Sequence, residues 1–300
     1  MITPPPLKPG DRIGIISTAR SITPEELQPA LRLIEEWGFT AVTGRHLFAR
    51  ENQFAGTDEQ RLDDLQRFLD DESIGAILCA RGGYGTVRII DQVDFKVFTK
   101  NPKWIGGYSD VTVLLNRVNQ LGIEALHCSM PVNFATNSPA ALESIRQALT
   151  GEMIHYQFEA HLFNRNGEAE GELTGGNLSM LYSQCGSSTA LNTSGKIVFL
   201  EDLDEYLYHI DRMLYNLRRN DYLKDAAAVL AGGLTDMNDN AVPFGRNAEE
   251  ILRDHLSSFS YPRGFNFPAG HLRDNRCLIF GRRARLSIGG NCKLEFDGAQ

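Results

Sequence analysis

The stretch from Trp104 to Leu115 (WIGGYSDVTVLL) contains the residue types that most directly indicate chemistry. A short apolar segment leads through two glycines to Ser109, and an amphipathic pattern typical of a helix follows. A serine on a tight turn between a strand and a helix exposes its hydroxyl, and the helix N-terminus behind it favours developing negative charge. Ser109 is therefore a candidate nucleophile. The alternative is that Ser109 only caps the helix, since the segment lacks the second glycine of a G-x-S-x-G turn.

A second glycine-rich segment, Arg81 to Gly85 (RGGYG), follows an apolar run that predicts a strand. Three glycines in four residues allow backbone N–H groups to face a ligand without obstruction by Cβ atoms. This pattern favours an oxyanion hole, although a turn that needs positive φ explains it equally well. It matches neither the G-x-x-x-x-G-K-[ST] nor the G-x-G-x-x-G pattern, which argues against nucleotide binding.

A serine nucleophile needs a base that accepts its proton and an acid that orients the base. Among the seven histidines, His271 follows a glycine in a loop-like segment, where its ring would be displayed. His127, at the end of an apolar segment, is a rival base. For the acid, Glu201 and Asp202 end a predicted strand, and only one of them should face a cleft because strand side chains alternate in direction. Spacing alone does not choose among these residues.

The first half of the sequence alternates short apolar runs with amphipathic patterns. The predicted strands are 12–17, 39–42, 75–79 and 104–108, and predicted helices lie between them. The first helix should start after Thr23, where Glu26 completes a capping box, and should end at Gly38. This alternation predicts an α/β fold with a parallel sheet. Ligands bind at the carboxyl ends of strands in such sheets, and both glycine-rich turns fall there.

The pattern changes after Pro131. A helix is predicted over 139–149, and residues with weak periodicity follow it. From Glu168 polar and apolar residues alternate up to a predicted turn at Gly175 and Gly176, and further strands follow. We therefore expect an N-terminal parallel-sheet α/β domain in residues 1–136, a linker in 137–166 and a C-terminal β-rich α+β domain in 167–300.

The composition predicts a globular protein that acts on small molecules or peptides. The chain has 42% hydrophobic and 23% charged residues, a net charge of −8 and no long basic run, which argues against nucleic acid or an anionic membrane as partner. Since neither about 18 consecutive apolar residues nor a signal-peptide pattern occurs, we expect a cytoplasmic protein. The five cysteines lack C-x-x-C spacing, and no cluster has metal-ligand spacing, so we expect reduced thiols, no metal and no cofactor.

Six short motifs occur in order along nearly the whole chain. They are AGTDEQR at 55–61, RGGYG at 81–85, GYSD at 107–110, GGNL at 175–178, FLED at 199–202 and GH at 270–271. Together they resemble the motifs of the LD-carboxypeptidase family of serine peptidases. The resemblance implies a catalytic triad of Ser109, Glu201 and His271. It also implies an oxyanion hole formed by the backbone N–H groups of Gly83 and Asp110.

The same resemblance implies the architecture and the substrate class. Members have an N-terminal α/β domain that carries the serine and a β-rich domain that carries the glutamate and histidine, and they commonly form homodimers. They remove the terminal D-alanine from murein tetrapeptide in the cytoplasm during peptidoglycan recycling. A related subgroup cleaves peptidyl-adenylate analogues such as microcin C, and a non-catalytic muropeptide-binding protein is a third possibility. This sequence departs from the family at 127–129, where His-Cys-Ser stands in place of the common His-Gly-Pro, a difference that concerns the shape of the cleft wall and not the triad.

Overall fold

The computed structural model describes residues 1–298. Its strands are β1 (Arg12–Ile16), β2 (Thr40–Thr43), β3 (Ile74–Cys79), β4 (Trp104–Gly107), β5 (Ala125–His127), β6 (His155–Glu159), β7 (Gly167–Asn177), β8 (Ile197–Leu203), β9 (Ala228–Thr235), β10 (Arg263–Gly264), β11 (Leu278–Phe280), β12 (Arg283–Ile288) and β13 (Asn291–Phe296). Its α-helices are α1 (Pro24–Glu36), α2 (Asp58–Asp70), α3 (Thr112–Gln120), α4 (Pro139–Thr150), α5 (Leu178–Gln184), α6 (Leu207–Arg219) and α7 (Ala248–Leu256).

The first sheet has the strand order β11-β5-β4-β3-β1-β2. Its five N-terminal strands pair in parallel, as the alternation of strands and helices predicts. Both glycine-rich segments follow the carboxyl ends of adjacent strands, β3 and β4, so the sheet brings them to one edge. The predicted start of α1 is confirmed, because the Thr23 side chain accepts the Glu26 N–H while the Glu26 carboxylate accepts the Thr23 N–H.

The second sheet has the strand order β10-β9-β8-β7-β12-β13-β6. Strands β7 to β10 are parallel, whereas β12, β13 and β6 are antiparallel, which gives the β-rich C-terminal half that the sequence predicts. The predicted turn at Gly175 and Gly176 is wrong, because both residues lie within β7 opposite Phe199 and Leu200 of β8. Gly175 has φ 128°, and a Cβ atom there would overlap the carbonyl oxygen of Phe199. Gly175 allows β7 to lie close against β8, which carries Glu201, and Gly176 allows it to lie close against Thr112 of α3.

The chain crosses between the two sheets more than once. Residues 137–166, assigned above to a linker, contain helix α4 and strand β6, and β6 pairs with β13 at the edge of the second sheet. Strand β11, from the far end of the sequence, pairs antiparallel with β5 and so completes the first sheet. The C-terminal half therefore contributes one strand to the sheet formed by the N-terminal half.

One large hydrophobic core extends across both sheets. It joins residues of β1 to β5 with three fully buried phenylalanines, Phe199, Phe267 and Phe280. A smaller core lies between the second sheet and helices α5, α6 and α7. Among residues 1–298, no helix is long and apolar enough to cross a bilayer, and all five cysteines are free thiols.

The close contact of β7 with β8 yields a stability prediction. Gly175→Ala should lower the free energy of unfolding by more than about 2 kcal/mol, because the new Cβ would overlap the Phe199 carbonyl at a φ that L-residues rarely adopt. Urea denaturation followed by circular dichroism measures the loss. Gly289→Ala is the control, since no atom lies within 4 Å of a Cβ there, and it should change stability by no more than about 0.5 kcal/mol. Equal effects of the two substitutions would contradict the prediction.

Candidate active site

Ser109 lies on a strained turn between β4 and α3. Its φ is 61°, in the left-handed region that few non-glycine residues adopt, and a 3₁₀ turn over 109–111 leads into α3. Gly107 is required before this turn, since a Cβ there would lie 2.8 Å from Cγ1 of Val111. The conformation directs a half-buried serine toward the edge of the sheet. Such strain is typical of nucleophile turns in hydrolases, although the second glycine of their usual pattern is absent here.

The glycine loop after β3 packs directly on Ser109. A Cβ on Gly82 would lie 3.1 Å from the Ser109 Cβ and 3.3 Å from its Oγ. Gly83 has φ 111°, and its N–H makes no hydrogen bond within residues 1–298. Asp110 is in the first turn of the following helical segment, where backbone N–H groups have no acceptor inside the helix. The two N–H groups predicted to form an oxyanion hole therefore belong to segments next to the serine.

Two buried side chains hold the glycine loop in place. The Asp110 carboxylate accepts hydrogen bonds from the N–H groups of Gly85 (3.3 Å) and Thr86 (2.9 Å), and its burial raises the pKa of Asp110. From the other side, Nη1 of Arg61 donates to the carbonyl oxygens of Thr18 (2.7 Å) and Gly85 (3.0 Å). Arg61 belongs to the AGTDEQR motif, but no residue pattern in the sequence predicted that it holds the glycine loop.

The structure places Glu201 and His271 in direct contact. Nδ1 of His271 lies 2.6 Å from Oε2 of Glu201, whose side chain has 0% exposure at the end of β8. Gly270 precedes the histidine with φ 104°, and a Cβ there would lie only 2.8 Å from Glu201 Oε2. With Nδ1–H donating to the carboxylate, Nε2 is the imidazole nitrogen left to accept a proton. This is the arrangement of an oriented general base.

The pKa values of this pair follow from burial and mutual attraction. Burial alone would raise the pKa of Glu201, but the charge of His271 and the shared hydrogen bond outweigh it, so the pKa of Glu201 is lowered. For His271, burial is the largest single effect and favours the neutral ring, but the charge of Glu201, the hydrogen bond to it and the charge of Asp202 together outweigh burial and raise the pKa above the ordinary value of 6.5. His271 is therefore a stronger base than an isolated histidine.

Asp202, the next residue of β8, makes no hydrogen bond to the histidine within residues 1–298 and has partners of its own. Its carboxylate accepts hydrogen bonds from Nδ2 of Asn177 (2.8 Å) and the N–H of Ser179 (2.9 Å) at the start of α5. Burial, followed by the nearby charge of Glu201, raises the pKa of Asp202 to about 7. Asp202 therefore anchors a helix N-terminus, whereas Glu201 binds His271.

The rival base His127 is enclosed in the core. It is fully buried against Phe199 and Phe280, and neither ring nitrogen has a hydrogen-bond partner within the described part of the chain. Burial lowers the pKa of His127 to about 4, so its ring is neutral at physiological pH. Because the ring is enclosed by apolar side chains, His127 is not available to take a proton from Ser109.

A cleft lies beside His271. It has a volume of about 580 Å³, and its walls include Tyr108, Asn133, Leu203 and Arg273. The Tyr108 ring centroid is 4.7 Å from that of His271, so the residue before Ser109 contacts the base directly. Within residues 1–298 no hydrogen bond joins the Ser109 hydroxyl to His271. Such bonds often form only in the complex with substrate.

A separate group of side chains has the composition of a metal site. His46, Asp63 and Asp64 present ligand atoms within 4.8 Å of one another. Oδ2 of Asp64 already accepts the His46 N–H at 2.9 Å, and Nη1 of Arg67 lies 4.0 Å from Oδ1 of Asp64. The neighbouring cation disfavours a metal ion there. No step of the chemistry described below passes through these residues.

Comparison with known proteins gives matches along most of the chain. Residues 13–128 match the LD-carboxypeptidase N-terminal domain, and residues 170–286 match the LD-carboxypeptidase C-terminal domain. A probable murein peptide carboxypeptidase of Bacillus subtilis is 35% identical, over 95% of this chain and 91% of that protein. The murein tetrapeptide carboxypeptidase of Pseudomonas aeruginosa is 31% identical, over 92% of each chain.

Solved structures share the same fold. The muramoyltetrapeptide carboxypeptidase of Oxalobacter formigenes superposes with a TM-score of 0.87 at 26% identity, covering 96% of this chain and 100% of that one. The wild-type microcin C7 self immunity protein gives a TM-score of 0.88 at 21% identity, over 100% and 99% of the two chains, which shows a common fold.

The two-sheet fold and these matches place the protein among the carboxypeptidases, a class of peptide hydrolases. Within that class, the chain belongs to the LD-carboxypeptidase family.

The raised pKa of His271 predicts a pH dependence. As pH falls through this pKa the base becomes protonated, so kcat/KM should decline on the acid side with an apparent pKa above 6.5. Glu201→Gln removes the charge that raises the pKa and should shift it to lower pH, while slowing turnover severely. Asp202→Asn is the control and should produce a milder loss and a smaller shift. Proton NMR of the His271 ring and kcat/KM profiles measure both effects; the reverse ranking would assign the orienting role to Asp202.

Chelation tests the expectation that the chemistry needs no metal. Activity should persist after dialysis against EDTA, because a serine, a histidine and a glutamate supply their own activated nucleophile. The measurement is turnover before and after dialysis, with metal content followed by atomic emission. Loss of turnover that zinc restores would contradict the expectation, and His46→Ala would then show whether the cluster at His46 is responsible.

Proposed function

We propose that this protein is a serine-type carboxypeptidase that hydrolyses the L,D-peptide bond releasing terminal D-alanine from murein tetrapeptide. The observation that carries the proposal is the hydrogen bond of 2.6 Å between His271 and the fully buried Glu201. Such a pair supplies an oriented base, and the strained turn at Ser109 supplies a matching hydroxyl. The two murein carboxypeptidases similar to this chain support the choice of substrate.

In the proposed mechanism, Ser109 attacks the carbonyl carbon of the L-configured centre that precedes D-alanine. His271 accepts the hydroxyl proton at Nε2 and then donates it to the departing amine, while Glu201 holds the ring and stabilises its positive charge. The backbone N–H groups of Gly83 and Asp110 bind the oxyanion of the tetrahedral intermediate. Water then hydrolyses the acyl-enzyme, with His271 acting again as the base.

The cellular setting is also part of the proposal. We place the protein in the cytoplasm, where it would process murein peptides during peptidoglycan recycling, and we propose that it acts as a homodimer. The support is the resemblance of its motifs to those of the family. Size-exclusion chromatography with light scattering tests the dimer, and cell fractionation tests the location.

A second candidate is cleavage of peptidyl-adenylate analogues. Its support is the fold shared with the microcin C7 self immunity protein, and at 21% identity that likeness concerns the fold alone. Murein peptides are the better-supported substrates because two relatives, at 35% and 31% identity over more than nine tenths of the chain, carry murein-related names. A third candidate, a non-catalytic muropeptide-binding protein, would not require the pairing of His271 with Glu201.

The test follows hydrolysis of murein tetrapeptide by mass spectrometry. The wild-type protein should release D-alanine, and Ser109→Ala should lower kcat on the order of 10⁴-fold while still binding the peptide. His271→Ala should be comparably impaired, and the double variant should lose little more, because the residues act as a unit. An epimer ending in L-alanine should be cleaved far more slowly, because a cleft shaped for one configuration clashes with the other.

Each alternative gives a different result in the same assay. Turnover of a peptidyl-adenylate, with the tetrapeptide left intact, would favour the second candidate. Binding of the tetrapeptide without turnover of either compound would favour the third. Full activity in Ser109→Ala, or equal rates on the two epimers, would contradict the proposed chemistry.

A further inference from the structure

A carboxypeptidase must recognise the free carboxylate at the end of its substrate. In the tetrapeptide this carboxylate is three bonds beyond the scissile carbonyl carbon, at a distance of roughly 4 Å. A cation that binds it must therefore lie close to the nucleophile and the oxyanion hole. It must also lack a carboxylate partner of its own, because an ion pair would already neutralise it.

Arg20 meets both requirements. Its side chain covers the glycine loop: a Cβ on Gly83 would lie 2.5 Å from Cδ and 2.7 Å from Nε of Arg20. The backbone holds it there, since the Arg20 N–H donates to the Gly82 carbonyl at 3.3 Å. Arg20 therefore packs on Gly83, one of the two proposed oxyanion donors. The preceding residue, Gly82, packs on Ser109, as described above.

The charge of Arg20 is available to a ligand. The residue is exposed, and within residues 1–298 its guanidinium makes no hydrogen bond and no ion pair. The neighbouring arginines already have carboxylate partners: Arg81 pairs with Glu26 at 3.2 Å, while Arg61 and Arg88 share Asp58. In a protein with a net charge of −8, an unpaired arginine over the glycine loop provides a local positive potential.

Arg273 is the competing cation, on the wall of the cleft beside His271. Its Nε donates to the carbonyl oxygen of Thr136 at 3.0 Å, which holds the side chain on that wall. Neither Ser109 nor Gly83 lines the cleft that contains Arg273. Arg20 packs on the glycine loop that contacts Ser109, and Arg273 does not, so Arg20 is the better candidate.

We infer that Arg20 binds the terminal carboxylate of the substrate and thereby selects free peptide ends. This inference rests on the proposed function and assigns a residue to the recognition step. The planar guanidinium can donate two parallel hydrogen bonds to a carboxylate, which fixes the position of the last residue as well as its charge. A peptide whose end is an amide, or continues as a longer chain, would lose this interaction.

The experiment compares murein tetrapeptide with a free C-terminus and the same peptide as its C-terminal amide. In the wild-type enzyme the free acid should have the larger kcat/KM. Arg20→Gln should lower kcat/KM for the free acid on the order of tenfold to a hundredfold and leave that for the amide nearly unchanged. Arg20→Lys keeps the positive charge but loses the pair of parallel hydrogen bonds, so it should retain part of the preference for the free acid.

Two matched variants control for general effects of removing a positive charge. Arg81→Gln removes a paired arginine of the same loop and should keep the wild-type ratio of acid to amide, and Arg273→Gln should keep it as well. Calorimetry compares Ser109→Ala with the double variant Ser109→Ala/Arg20→Gln. The double variant should bind the free acid more weakly than Ser109→Ala does, and both should bind the amide equally well. This measurement decides the matter even where turnover of the amide is too slow to follow.

The outcomes separate this inference from the proposed function. If the wild-type enzyme leaves the tetrapeptide intact, the proposed function fails and the role of Arg20 fails with it. If the wild type cleaves the peptide but Arg20→Gln keeps the acid-to-amide ratio, or lowers both rates equally, only the role of Arg20 is wrong. Loss of the preference in Arg273→Gln instead would transfer the role to that residue.

Discussion

The buried hydrogen bond between Glu201 and His271 is the interaction on which the rest of the site depends. A carboxylate with no exposure to water is costly unless partners replace its hydration, and the imidazole is its principal partner. The imidazole binds Oε2, whereas Oε1 has no hydrogen-bond partner within residues 1–298, so the pair depends on the residues that keep His271 in place. Gly270 has no side chain where one would displace the Glu201 carboxylate, and Asp202 has its own N–H donors and so does not compete for the histidine.

The nucleophile side of the site is built from backbone conformation. A serine at positive φ costs on the order of 1–3 kcal/mol, and such a conformation persists only when its surroundings leave it no alternative. Here the surroundings are the glycine loop, whose Gly82 packs on Ser109, and the Asp110 carboxylate and Arg61 guanidinium that both bind this loop at Gly85. One half of the chain thus supplies a strained hydroxyl and the other half supplies a charged pair.

Features that depend on residues close together in the sequence could be predicted from the sequence. The capping box at Thr23 and the first four strands are local patterns, and both are confirmed, whereas β5 and β11 of the first sheet were not predicted. Gly175 and Gly176 were assigned to a turn because the reasons for glycine are Phe199 beside Gly175 and Thr112 beside Gly176, which only the fold brings close. Likewise, no spacing rule distinguished His271 from His127; the resemblance to a family did so, and burial of His127 supplies the physical reason.

Strand β11 has a consequence for how members of this family can be recombined. It follows the segment that carries His271, yet it pairs with β5 of the other half, so that Leu278 lies opposite His127. A chimera that joined the first half of one member to the second half of another would pair β5 of the first protein with the edge strand of the second. The divide between the two halves of the sequence is therefore not a modular boundary. A successful exchange would have to transfer the edge strand together with the sheet that it completes.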